Sequence, residues 1–283
     1  MGYDRAMRIL SLALLGLLAA CGGGGDDAGG GDGGGGGGDG GGCGGGGQPS
    51  AEELFGAATA TVRLEVDYQD GAAPYTGSAG LFGDTWALSE ANLGRLFQGK
   101  TLELPHTIGE MQLLLEVDDG GDGGFSIEEI LAIADAHRDD PSAGDTATFY
   151  GIWVDGMYQD GSGVRDGVLG VSIGDTGVIA MFKPVIASTG TIAFPNLERF
   201  VEQTVLIHEL GHGAGLTNNG IPMLAPHQDE AHGAHCSNDQ CVMYWLNEGA
   251  SDAAEFARMY VVSGDSIVFA EDCLADADAL RGE

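Results

Sequence analysis

Basic residues are scarce in this sequence, and it has no apolar run that could cross a membrane. Eleven Lys and Arg stand against 43 Asp and Glu, a net charge of −32 over 283 residues. So acidic a surface repels phosphate backbones and has no basic stripe to neutralise them, which argues against nucleic acid as a partner. The acidity is otherwise a statement about solubility and names no substrate. The apolar run at residues 9–20 spans roughly 18 Å as a helix, well short of a ~30 Å hydrocarbon core. No internal repeat is visible.

What is present begins with an export signal. Arg5 and Arg8 give a basic start, interrupted by Asp4, and Met7 is an alternative first residue. The apolar run closes on Leu18, Ala19, Ala20 and Cys21. Small residues before a lone Cys resemble the lipobox of bacterial lipoproteins. The resemblance implies lipid on Cys21, a mature chain that starts there, and a signal peptide, residues 1–21, outside the fold. An ordinary cleaved signal, or a buried helix with a chance Cys, is the alternative. Residues 22–47 are almost only Gly and Asp, apart from Ala28 and Cys43. With nothing to bury, residues 22–49 are expected as a disordered tether with a reach of roughly 25–30 Å. One folded domain is expected over residues 50–283. The whole reads as an exported protein held by lipid at a bacterial cell envelope, periplasmic or surface-exposed.

Periodicity in that domain predicts mixed α and β structure. Strands are expected at residues 62–68, 111–117, 146–154, 168–173 and 178–182, with Gly/Asp turns between the later ones. Helices are expected at 89–97 and at 126–137, where Ser126 and Glu129 form a capping box. Asn196 is expected to cap a further helix with Leu197, Val201, Val205, His208 and His212 on one stripe.

That stripe ends in His208-Glu209-Leu210-Gly211-His212. Histidines four apart lie on one helical face, so both imidazoles can meet one metal ion, and neutral imidazole suits zinc. Glu209 lies one residue round, where it can take a proton from an attacking water. The bland alternative is a pair of surface histidines. A catalytic zinc takes three protein ligands and keeps one position open, so a third ligand must come from downstream.

The sequence continues Gly213-Ala214-Gly215, and HExxHxxG resembles the metzincin clan of zinc peptidases. There the Gly ends the helix in a sharp turn and a His or Asp three residues on binds the metal. Here that position is Asn218, a poor zinc ligand. His235-Cys236, then Cys241 and Met243, resemble the HC-x4-C-x-M pattern of the archaemetzincins. That resemblance implies His235 as third ligand, Met243 in a Met-turn beneath the metal, and residues 217–234 as an insertion. It implies a metzincin-like α/β (α+β) zincin fold with a twisted mixed sheet, an active-site helix and a Met-turn. Archaemetzincins add a CxxC after the Met to complete a second zinc site. This chain has only Cys273, so no second site is expected. His227 and His232 compete for the third position. So does Glu248, because Asn247-Glu248 with Ser251-Asp252 resembles the NExxSD segment of gluzincins, where the Asp orients a zinc histidine.

Other features carry less. Asp118, Asp122, Gly123 and Glu129 match positions 1, 5, 6 and 12 of an EF-hand loop. Gly120 removes a ligand, and the preferred reading is a Gly/Asp loop before the Ser126 cap rather than a Ca2+ site. A Cys236–Cys241 disulfide is plausible in an exported domain, and Cys43 and Cys273 are left to pair or stay free. The function expected is a zinc metalloendopeptidase acting on protein or peptide substrates, with one catalytic Zn2+ and Glu209 as base. A zinc-retaining surface lipoprotein without turnover, a gluzincin-type peptidase using Glu248, and a zinc hydrolase acting on another bond are the alternatives. Peptide preference, activation and oligomeric state are not legible.

Overall fold

The computed structural model describes residues 48–79, 83–117, 123–263 and 266–282. The lipobox Cys21, the Gly/Asp tract with Cys43, and Asp118 and Asp122 lie outside the described residues.

The expected mixed α/β class is what the structure has. The sheet is built on two long strands, β1 (Thr61–Gln69) and β5 (Thr146–Val154), paired in parallel. Two short strands, β2 (Thr101–Glu103) and β3 (Gln112–Leu114), share the outer side of β1, both parallel to it. On the other side β9 (Val178–Phe182) runs parallel to β5, and β8 (Gly170–Ile173) closes the sheet antiparallel to β9. β8 reaches β9 through a 3-10 turn at Gly174–Thr176 and Gly177 at φ 69°, a conformation only glycine adopts without cost. A separate small sheet joins β4 (Gly124–Phe125), β6 (Met157–Asp160) and β7 (Gly163–Arg165). This β6–β7 hairpin fills a stretch expected only as turns; its strands are too short to show a period. β3 is likewise shorter than the 111–117 strand expected.

Both faces of the sheet are covered. Helices α2 (Ala87–Leu96) and α5 (Leu197–Gly213) pack on the face carrying Val62, Leu64, Phe149 and Trp153. Helix α3 (Ile127–His137) lies on the opposite face, beside Glu65, Asp67 and Tyr150. Its Ser126–Glu129 capping box is formed as expected: the Ser126 backbone N–H donates to the Glu129 carboxylate at 2.8 Å. Glu129 is therefore engaged in capping the start of the helix. The short helices α1 (Ala51–Phe55) and α4 (Lys183–Ser188), and the C-terminal helices α6 (Ala250–Ser263) and α7 (Glu271–Arg281), complete the domain. Among the described residues no helix is long and apolar enough to cross a membrane.

Helix α5 is buried from Val201 through Gly211, so its polar residues need internal partners. Glu202 pairs with Lys183 of α4 and accepts from the Tyr75 backbone N–H at 2.6 Å. Gln203 accepts from Ser89 of α2 at 2.7 Å. These bonds fix the helix between α2, α4 and the sheet, which places its last two turns against β8. The expected side-chain cap from Asn196 is absent. Asn196 instead takes φ 69° and its side chain makes no cap bond, a left-handed turn that Asn tolerates better than most residues.

Candidate metal centre

His208 and His212 leave one face of α5, and His235 meets them from the loop that follows. The His212 Nε2 atom lies 3.0 Å from His208 Nε2 and 3.2 Å from His235 Nε2. His208 Nδ1 is 2.6 Å from the Val242 carbonyl, and His235 Nδ1 is 2.6 Å from the His232 carbonyl. A carbonyl only accepts, so both Nδ1 atoms carry the proton; His208 Nε2 then presents a lone pair, and His235 Nε2 would present one on giving up the proton it shares with Glu248. His212 Nε2 can donate to one of its two neighbours when no ion is bound, and a cation at the centre of the three would take the place of that proton. Ligands at 2.0–2.1 Å in a tetrahedron stand ~3.3 Å apart, close to these separations. The donor set fits zinc. Burial, then the neighbouring His235, pushes His208 down to about 4, and burial drives His212 well below the usual imidazole range. Both are therefore neutral, as metal binding requires.

Glu248 is the fourth member of the cluster. Its Oε1 lies 3.0 Å from His235 Nε2, and all four residues offer ligand atoms within 4.8 Å of one another. It sits on a 3-10 turn, Trp245–Glu248, and is half exposed. Burial is the largest influence and would raise its carboxyl, but the hydrogen bond from His235 together with the charge of the surrounding imidazoles brings it below the usual range. Glu248 joins His235 rather than replacing it. The orienting role that the gluzincin resemblance gives to Asp252 falls to the Val242 carbonyl, which holds His208. Asn247, the first residue of the NExxSD-like segment, is buried and donates from Nδ2 to the Val242 carbonyl at 2.8 Å and to that of Cys241 at 3.2 Å.

Glu209 is buried against β8. Burial first, then Glu248, pushes its carboxyl well above the usual range, opposed by a hydrogen bond from the Ser172 backbone. A Cβ on Gly170 would lie 3.1 Å from the Glu209 side chain and 2.9 Å from Val205, so glycine there lets the strand approach the helix. Below, Met243 is fully buried, and a Cβ on Gly211 would collide with its sulfur. Gly215 takes φ 92° and its carbonyl accepts from Ile221 N–H at 2.8 Å, the sharp turn that ends the helix. Asn218 turns away and donates to Gln228 at 3.0 Å.

The remaining histidines go elsewhere. His232 stacks on Trp245 with ring centroids 3.9 Å apart and bonds Asp229, so it reaches the cluster only through its carbonyl. His227 belongs to a second cluster with Cys236 and Cys273, all three buried, with ligand atoms within 4.8 Å. Cys241 Sγ is 3.6 Å from Cys273 Sγ. The expected Cys236–Cys241 disulfide is not formed, and all three cysteines are free thiols. A second set of metal donors, expected to be missing because the chain has no late CxxC, is present. His227, from the insertion, supplies the donor that the cysteine count lacks. Its Nε2 donates to the Asp276 carboxylate at 2.7 Å, which leaves Nδ1 as an acceptor 3.5 Å from Cys236 Sγ and 3.9 Å from Cys273 Sγ. Thiol hydrogen bonds from Cys241 and Cys273 push Cys236 strongly down, and Cys236 pushes both of them up. Three sulfurs and one imidazole fit a structural zinc site. Sequence reasoning missed it because residues 227, 236, 241 and 273 show no regular spacing.

No family model matches the chain, and no curated protein matches it. Among solved structures it is similar to an archaemetzincin from Methanopyrus kandleri, with TM-score 0.45 and 12% identity, covering 80% of this chain and 98% of that one. It is also similar to a zinc-dependent peptidase from Methanocorpusculum labreanum, with TM-score 0.43 and 14% identity, covering 76% and 99%. Likenesses so distant carry no argument about this chain's residues.

Proposed function

We propose that this chain is a zinc-dependent peptidase that works outside the cytoplasm, tethered by lipid on Cys21. The observation that carries the reading is the convergence of three imidazole Nε2 atoms, two of the rings oriented by Nδ1–H bonds to carbonyls, with the buried Glu209 on the helix that bears His208 and His212. His208, His212 and His235 would hold the ion. Zinc held there supplies Lewis acidity toward a carbonyl and lowers the pKa of water. Glu209 takes the proton of the attacking water and passes it to the departing amine. The Ser172 backbone N–H steadies the carboxylate between these transfers. Met243 under Gly211 keeps the floor packed so that the histidines do not relax. β8 is an outer strand lying along Glu209, a suitable edge for an extended peptide.

The test is hydrolysis of a denatured protein by zinc-loaded full-length protein, read by mass spectrometry of new termini. Glu209→Gln with unchanged zinc content should lose roughly 10²- to 10⁴-fold in rate. Equal rates for the two proteins at equal zinc would end the mechanism.

One observation favours a second reading. With Glu248 as a fourth donor the set is closed, as in zinc sites that do no chemistry. A lipoprotein that retains zinc without turnover then follows. Zinc-loaded wild type and Glu248→Ala that both leave every peptide intact would favour it.

A further inference from the structure

Alternate residues of a strand share a face, so β1 turns Arg63, Glu65 and Asp67 away from α5 and toward the side of the sheet that carries α3. Over that face lies a cleft of about 460 Å³. Residues 103–112 form one wall, and Asp139 and Asp140, just past α3, form the other. The carboxylates of Glu65, Asp67, Glu103, Glu110, Asp139 and Asp140 line it against one cation, Arg63. Leu104, Pro105 and Met111 add an apolar strip to the first wall. The imidazole set is carried by α5 on the other face of the sheet, and no residue of it lines this cleft.

Most of these acids are engaged. Arg63 pairs with Glu103 at 2.6 Å and with Asp140 at 3.2 Å. Glu65 accepts the backbone N–H groups of Asp139 at 2.7 Å and Asp140 at 2.9 Å. Glu110 caps its own 3-10 turn through Thr107. Asp67 is the exception. It is 1% exposed, and its Oδ2 accepts from the Tyr150 hydroxyl at 2.7 Å. Its Oδ1 is buried, and no donor among the described residues reaches it. The guanidinium of Arg138, over the Tyr150 ring, is spent on the carbonyls of Thr148, Thr176 and Gly177 at 3.3–3.5 Å. A buried carboxylate calls for further donors or a counter-charge. Burial accordingly raises this carboxyl to about 6, against the Tyr150 bond that lowers it.

A donor that carries positive charge would complete Asp67. A divalent metal does not fit. Calcium gathers about 6–8 oxygen ligands around one point, and among the described residues no three acids of this cleft bring ligand atoms within 4.8 Å of one another. The negative charge is instead spread along both walls, beside the apolar strip. That pattern suits an organic cation, whose head donates N–H to a carboxylate while its methylenes lie on apolar surface. We infer that the cleft binds an alkylammonium or alkylguanidinium group, with its head on Asp67 and its stem against Leu104, Pro105 and Met111. A free polyamine and the Lys or Arg side chain of a peptide share that chemistry. The inference stands independently of the peptidase reading.

Calorimetric titration of the full-length protein with spermidine at physiological salt tests it. A net charge of −32 attracts any polycation, and salt screens that attraction. Site binding is therefore read as the difference between wild type and Asp67→Asn. That change is nearly isosteric, leaves the exposed acids in place and keeps an amide oxygen for the Tyr150 hydroxyl. Wild type should show one saturable site, weakened about 10- to 100-fold in Asp67→Asn, the usual worth of a hydrogen bond to a charged group. Gly109 lines the cleft with open space around it, so Gly109→Arg brings its own guanidinium to the cleft and should weaken spermidine as well. Circular dichroism checks the folding of both variants, and if Asp67→Asn unfolds, the Gly109→Arg arm decides. Tetralysine in place of spermidine separates the two sources: tighter tetralysine binding assigns the site to peptide side chains, and tighter spermidine binding to free polyamines. Unchanged spermidine affinity in either folded variant overturns the inference. So does displacement of spermidine by calcium at equal ionic strength, or a wild type that binds neither cation saturably.

Discussion

Asn247 is the residue whose replacement most sharply separates hydrogen bonding from packing at this site. It is buried, and its amide donates to the carbonyls of Val242 at 2.8 Å and Cys241 at 3.2 Å. Both partners are acceptors, so the orientation of the amide is not in question. Asn247→Ala removes two neutral hydrogen bonds, each worth about 1 kcal/mol net, and leaves the Cys241 carbonyl without that donor. Val242 keeps His208. A loss of about 2 kcal/mol is expected, with zinc affinity down by about 10-fold because the Val242 carbonyl is no longer held from both sides. Asn247→Asp is nearly isosteric, so packing alone would make it the milder change. It has no N–H to donate and brings a carboxylate against two carbonyl oxygens, so it should cost more, about 3–5 kcal/mol. Urea unfolding of the metal-free proteins gives the order. An Asn247→Asp protein as stable as Asn247→Ala, or more so, would refute the reasoning.

Three further outcomes follow from other parts of the chain. Burial holds the Asp67 carboxyl at about 6, against the Tyr150 hydrogen bond that lowers it. Because its folded value lies above the unfolded 3.8, its contribution to stability is complete below about pH 4 and is lost as pH rises through 6. That amounts to about 3 kcal/mol; Asp67→Asn should remove this slope, and parallel stability curves for the two proteins between pH 4 and 7 would contradict it. Among the candidate ligands, His235→Ala should lose zinc almost completely on dialysis against a weak chelator, while Glu248→Ala keeps a measurable share; the reverse order would favour a gluzincin-type set. Cys21→Ser should move the protein from the detergent phase to the aqueous phase, and equal partitioning of both forms would end the lipid-anchor proposal.

The helix bearing His208 and His212 was legible because its stripe is long and its motif couples spacing to chemistry. So were β5 and β9, whose continuous apolar residues sit in the middle of a sheet. The β6–β7 hairpin was not, since Met157–Asp160 and Gly163–Arg165 are too short to show alternation. His235 could be proposed only from a resemblance, because nothing local ties it to residue 212 across the insertion. The thiol cluster was misread for a physical reason. Cys236 and Cys241 are close in sequence and suggest a disulfide, whereas the chain brings Cys273 and His227 to them from two distant segments. Asn247 entered only through the NExxSD resemblance, and nothing in the sequence marks its amide as the brace of the Cys241 and Val242 carbonyls.

The central claim is that His208, His212 and His235 together hold a zinc ion. Diffraction from crystals of the purified protein, recorded on both sides of the zinc absorption edge, tests it directly. An anomalous peak ~2.0–2.1 Å from all three Nε2 atoms is predicted. A map with no zinc there, or with zinc bound without His235, would contradict it.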